Sequence, residues 1–152
     1  MKLFRIASRR FPIFDGTGAY HHGARWNSPG LRVIYASTSL SGARIEVLVH
    51  SGRASPPTNH GYVEIDVPGD IGIETVGVSA LPPHWDAVPD RRAGRPVGDN
   101  WLKSRTSLLL RVPSVASGND FNVLINQDHD DFLRLRVSPE VSLTWDARLF
   151  DR

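Results

Sequence analysis

The chain contains no cysteine. That absence excludes disulfides, thiolate metal sites and a thiol nucleophile, and it suits a reducing compartment. No apolar run approaches the roughly 20 residues that a membrane span needs. The N-terminus, Met1-Lys2-Leu3-Phe4-Arg5-Ile6, is followed quickly by Arg9-Arg10 and lacks the apolar stretch of a signal peptide. The expectation is a cytoplasmic protein with no membrane role. Lysine is nearly absent as well: of 18 basic residues, all but Lys2 and Lys103 are arginine. Arginine suits planar, bidentate recognition of phosphate and carboxylate. Against 16 acidic residues the net charge is +2, and the arginines form no dense run. A phosphate-bearing small ligand fits this balance as well as nucleic acid does.

Several catalytic signatures are missing too. There is no G-x-S-x-G nucleophile elbow and no H-E-x-x-H. There is no G-x-x-x-x-G-K-S/T phosphate loop, and Gly16-Thr17-Gly18 lacks the rest of a dinucleotide fingerprint. Asp128-His129-Asp130-Asp131 reads as a solvated acidic turn rather than a cation site, and His21-His22 as a surface pair. No metal is expected.

What is present is an ordinary globular composition: 152 residues, 40% hydrophobic and 22% charged. The length fits one domain, 1–152. Thirteen glycines and eleven prolines argue for many turns and against a plain helical bundle. Phe4-Arg5-Ile6 reads as a first strand and residues 8–32 as mostly loop. Arg32 to Ser37 has strand composition, and Gly61 to Val67 alternates with Val63, Ile65 and Val67 on one side. Leu108 to Val112 reads as a buried strand, and Phe121 to Ile125 is another apolar piece. Phe132 to Val137 and Val141 to Trp145 alternate as strands. Between them, Thr38 or Ser39 caps a helix running to His50, and Ser51-Gly52 stops it. A short helix is expected from Asp99 to Ser104 with Asp99 as its cap. The proline-rich stretch 82–98 reads as an irregular lid. The sum is an α+β chain of short strands with a few short helices.

Three features carry chemistry. Arg25-Trp26-Asn27 sets a cation beside an aromatic body in a turn, an arrangement that can hold a phosphate while a ring packs nearby. Tyr35 lies on its strand, and Glu46 lies two turns into the helix among Ile45, Val47, Leu48 and Val49. A carboxylate in that setting needs a partner, and Arg25 is the expected one. Ser114 follows an apolar strand and a proline, where ligand contacts are common, and Asn122 and Asn126 bracket another apolar stretch.

Taken in order, these pieces resemble a known family. Arg5 in a first strand is followed by Gly-x-Arg-Trp-Asn-x-x-Gly, Val-Ile-Tyr-Ala-Ser-Thr-Ser and Ala-x-x-Glu-Val-Leu-Val-His. Asn100-Trp101-Leu102, Val112-Pro113-Ser114 and Asn122-Val123-Leu124-Ile125-Asn126 come later. The order is similar to that of the RES-domain family, from Phe4 to about Leu149. The resemblance implies a single-domain fold like that of the ADP-ribosyltransferase toxins, a split β-core with a few short helices. It implies a toxin of a type II toxin–antitoxin pair that takes NAD+ as substrate, by hydrolysis or phosphorolysis or by ADP-ribosylation of a protein. It implies an Xre-like antitoxin covering the active site and no direct contact with nucleic acid; a homodimer within that complex is left open. Carried over, Glu46 stabilises the ribose cation, Arg25 holds a phosphate, Tyr35 packs on nicotinamide or bonds the ribose, and Ser114 bonds the ribose or the amide. Arg5, Trp26 and Asn126 are further binding candidates, and Trp26 and Trp101 are candidate exposed antitoxin contacts. A basic RNA-binding module or ribonuclease toxin remains the rival class.

Overall fold

The computed structural model describes residues 1–52 and 54–151. Its centre is a mixed sheet of eight strands: β1 (Lys2–Ser8), β2 (Val33–Ser37), β3 (His60–Asp66), β4 (Ile73–Thr75), β5 (Leu109–Pro113), β6 (Phe121–Asn126), β7 (Arg136–Val137) and β8 (Val141–Ser142). The order is β4-β5-β6-β2-β1-β3-β7, with β8 also pairing with β3. Among the described residues only the β4–β5 pair is parallel. Three helices accompany the sheet: α1 (Thr17–His22), α2 (Leu40–Ser51) and α3 (Arg95–Ser104). This is the α+β class expected from the sequence.

Strand alternation divides the apolar residues between two faces. On β2 and β6, Ile34, Ala36, Val123 and Ile125 join Leu3, Val63, Ile65 and Leu109 in one core. Val33, Tyr35 and Leu124 join Leu110, Val112, Trp26, Trp101 and Leu102 in the other. The second face carries the site. The helix after β2 forms as expected: Ser39 Oγ accepts the Gly42 N–H at 3.0 Å, and Gly52 ends α2 in the left-handed region at φ 56°.

Elsewhere tertiary contacts override local pattern. The 8–32 region is not all loop, because Thr17–His22 forms a helix that Gly23 closes at φ 66°. The later helix starts at Arg95, not Asp99, because Pro96 suits a first turn. Asp99 is therefore not a cap; its carboxylate accepts from Ser28 N at 2.8 Å and Ser28 Oγ at 2.6 Å. The alternating stretch 132–137 is mostly not a strand. His129 caps a 3-10 turn over Asp130–Arg134, Phe132 stacks on Phe14 at 5.4 Å, and only Arg136–Val137 pairs with β3. The last strand stops at Ser142, and Trp145 lies under the Arg44 guanidinium at 5.3 Å. In the acidic cluster, Asp130 pairs with Arg105 and Asp131 with Arg134. No helix among the described residues is long and apolar enough to cross a membrane.

Candidate active site

A cavity of about 410 Å³ opens where α2, the middle of β1, the ends of β2 and β5, the start of β6, and the irregular strap 81–92 converge. Its size falls within the roughly 300–1,000 Å³ of ligand pockets. Glu46, Arg25, Tyr35, Arg5 and Trp26 line it together with Asn122, His50, Val88 and Arg91.

Glu46 is held by two side chains. α2 packs on β1 and β2 and aims the carboxylate toward the ends of β5 and β6. There Ser114 Oγ donates to Oε1 at 2.7 Å and Asn122 Nδ2 donates to the same oxygen at 2.6 Å. Ser37 Oγ in turn donates to Asn122 Oδ1 at 3.1 Å, fixing which way the amide faces. Glu46 Oε2 accepts no hydrogen bond among the described residues. His50, one turn on, points Nδ1 at the Glu46 backbone carbonyl at 2.7 Å; a carbonyl only accepts, so Nδ1 carries the proton.

Two hydroxyls expected from the resemblance to meet the ligand are engaged within the protein. Ser114 is buried, and its one hydroxyl proton goes to Glu46 while its oxygen accepts from Ser117 N at 3.0 Å. In this arrangement its hydroxyl is engaged with Glu46. Tyr35 presents its ring, but its hydroxyl accepts from Trp26 N at 3.2 Å and donates to Asn27 Oδ1 at 2.8 Å. Burial pushes that phenol far above its ordinary pKa. The hydroxyl holds the 25–27 turn in place instead of reaching into the cavity.

Arg25 and Glu46 share the cavity but do not pair. Arg25 Nη1 donates to the Trp85 carbonyl at 2.7 Å and the Ala87 carbonyl at 3.2 Å, tying the strap to the turn. Burial, then the neighbouring Arg91 charge, lowers the Arg25 pKa, while Asp86 and Glu46 pull it upward. Arg5 serves the backbone: it donates to the carbonyls of Ile13 at 2.6 Å, Tyr35 at 2.8 Å and Asp15 at 3.3 Å. Burial brings its guanidinium down to about 10, so it stays charged at neutral pH.

Asn126 does not reach the cavity. It is 1% exposed; Nδ2 donates to Leu102 O at 3.1 Å at the end of α3, and Oδ1 accepts from Asp128 N. Asn122, four residues earlier on the same face, takes the place by Glu46. Nor are the two tryptophans exposed. Trp26 is 3% and Trp101 6% exposed, the first stacked on Trp85 at 5.9 Å and the second donating Nε1 to Ser107 Oγ at 2.8 Å. Both rings pack into the core on the second face of the sheet. Among the described residues, no group of three or more His, Asp or Glu side chains is placed to hold a metal ion.

Comparison with known proteins places the chain in a family. Residues 2–146 match the model of the RES domain. The chain is 35% identical to a Sphingobium sp. (strain YBL2) protein named "Prs ADP-ribosylating toxin", over 97% of this chain and 95% of that protein. It is 33% identical to a protein named "Toxin Res" from Yersinia enterocolitica, over 98% of this chain and 99% of the relative. A chain of the crystal structure of the M. tuberculosis MbcT–MbcA toxin–antitoxin complex superposes with a TM-score of 0.76. That likeness covers 98% of this chain and 86% of the other at 20% identity, and it concerns the fold.

Proposed function

We infer the function of this chain from one premise: it belongs to the RES domain family. We propose that it is the toxin of a toxin–antitoxin pair. In this reading it consumes NAD+ by breaking the nicotinamide–ribose bond, with water or phosphate taking the ADP-ribose. Relatives named as toxins, and a fold shared with a chain of a toxin–antitoxin complex, support the first statement. One observation carries the second. Glu46 is gripped at Oε1 by Ser114 and Asn122, with Oε2 free of hydrogen bonds, in a cavity that also holds the Arg25 cation.

The chemistry suits a fixed carboxylate. The electron pair of the breaking bond passes to the pyridinium nitrogen, so nicotinamide leaves neutral and positive charge develops on the ribose, as in glycoside cleavage. Glu46 stabilises that charge and accepts from ribose hydroxyls. Because Ser114 and Asn122 already orient it, little reorganisation is left for the reaction itself. The unused N–H groups of Arg25 hold a phosphate oxygen. When water adds to the ribose, its proton passes to solvent. A neutral leaving group requires neither a metal nor a general acid. The partner in this reading is an Xre-like antitoxin covering the cavity.

A second reading has its own support: the Sphingobium relative carries ADP-ribosylation in its name. Here a protein side chain replaces water as acceptor. One experiment addresses both. The purified chain, free of any antitoxin, is expected to deplete NAD+ and release nicotinamide. Glu46→Gln, folded to the same thermal midpoint, is expected to slow this by about 10³-fold, the scale of losing one preorganised electrostatic contact. A folded Glu46→Gln protein with full turnover overturns the proposal. Labelled NAD+ with cell extract, with and without phosphate, separates free ADP-ribose, its phosphorylated form and modified protein.

A further inference from the structure

The strap carries a side chain that the proposed reaction leaves unused. Arg91 sits where the strap enters the 3-10 turn Arg92–Gly94. It lines the large cavity beside Arg25, and it also lines a shallower neighbouring cavity of about 390 Å³. In the shallower cavity Arg92 is tied to Asp90 at 2.9 Å, and Arg95 to the Ala24 carbonyl at 3.0 Å. Most other described arginines are engaged: Arg9, Arg105, Arg134 and Arg148 with acids, Arg5, Arg25 and Arg44 with carbonyls. Arg32 and Arg111 lie over the rings of Tyr20 and Phe121, and Arg10 and Arg136 are exposed. Among the described residues, Arg91 alone is a half-buried arginine with no hydrogen bond, ion pair or ring.

That placement is unfavourable by itself. Arg91 is half-buried without a partner among the described residues, and a second cation, Arg25, lines the same cavity. Arg91 lies near enough to depress the Arg25 pKa. An anion with several oxygens, set between the two forks, gives Arg91 a partner and offsets the repulsion between the two cations. Arg25 can serve it without releasing the strap, because only Nη1 is spent on Trp85 and Ala87.

We propose that Arg91 is a substrate-binding residue that clamps a diphosphate group against Arg25, at the junction of the two cavities. The diphosphate is the linkage of the dinucleotide, so the identity of the ligand rests on the NAD+ reading given above. The consequence is that the proline-rich strap contributes to affinity as well as covering the site.

The test uses ADP, which has the diphosphate but no bond to cleave, and adenosine, which has neither, in calorimetric titrations of the purified chain. Arg91→Gln is expected to weaken ADP by about 10-fold to 30-fold, in line with loss of a charge-assisted fork. Adenosine binding and the thermal midpoint should not fall, since Arg91 holds nothing in the protein. Arg91→Lys should recover only part of the loss, because it keeps charge without the fork. Arg10→Gln, at an exposed site, should match wild type. In turnover, the KM for NAD+ should rise with kcat held within about threefold. The proposal is overturned if Arg91→Gln binds ADP within twofold of wild type. It is equally overturned if wild type binds ADP no more tightly than adenosine. ADP binding that depends on Arg91, in a protein that leaves NAD+ intact, sinks the cleavage reading and sustains this one.

Discussion

One wall of the cavity belongs to the sheet and α2, the other to the strap, and the two hold their polar groups in different ways. On the first wall, Glu46, Ser114, Asn122 and Ser37 form a chain of side-chain hydrogen bonds between 2.6 and 3.1 Å, each member fixed by a helix or a strand end. On the second, Trp85, Ala87, Val88 and Arg91 belong to irregular backbone. Arg25 Nη1 and the Trp26–Trp85 stack fasten it to the body. The first wall therefore presents charge in one orientation. The second can adjust by small backbone changes when a ligand enters, as loop-built surfaces generally do. In the proposed reaction, catalytic positioning and substrate capture divide accordingly.

This division can be broken at its joint. Trp26 serves both walls, with its backbone N–H on the Tyr35 hydroxyl and its ring on Trp85. Gly98 of α3 packs against the Trp26 backbone so closely that an added Cβ falls 1.7 Å from the Trp26 carbonyl oxygen. Gly98→Ala is expected to lose about 3 kcal/mol of stability, at the upper end of overpacking effects. A denaturant melt checks this, and an unshifted midpoint means that α3 is not held against the turn.

The two walls should also separate in kinetics. Ser114→Ala removes one of two donors to Glu46 Oε1. A hydrogen bond to a charged group is worth about 2 kcal/mol, so kcat should fall by about 30-fold with KM little changed. A Ser114→Ala enzyme that loses KM and keeps kcat places the hydroxyl on substrate, against the geometry. The smallest effect is expected from Trp85→Ala on the strap. The ring pair contributes about 1 kcal/mol, so KM should rise severalfold while kcat stays near wild type. Equal loss of kcat for Trp85→Ala removes the distinction between the walls.

The sequence already pointed to the strands where alternation was clean and burial one-sided. Val63, Ile65 and the run Leu108–Val112 lie in the core as their pattern requires. It misread segments whose pattern was satisfied in another way. The alternation of 132–137 suits a strand, yet a His129 cap and the Phe14–Phe132 stack draw it into a 3-10 turn. In the site, Glu46 was legible because a carboxylate among apolar residues demands a partner. Which partner it takes was not legible. Arg25 was the obvious choice by charge, but Ser114 and Asn122 hold Glu46, and Arg25 binds the strap.

The choice between Asn122 and Asn126 shows the same boundary. Both are strand asparagines on one face, separated by Leu124, and local sequence treats them alike. One lies opposite Ser37 in the β2–β6 register and reaches Glu46; the other reaches the last turn of α3. Arg91 was likewise one arginine among sixteen until the strap set it, half-buried and unpaired, across from Arg25. Local chemistry and periodicity are written along the chain, so they determined the secondary elements near the core and the demand for a held carboxylate. Partners 60 to 76 residues apart, such as Arg25 with Trp85 and Glu46 with Asn122, are joined only when the sheet closes. That pairing belongs to the tertiary structure.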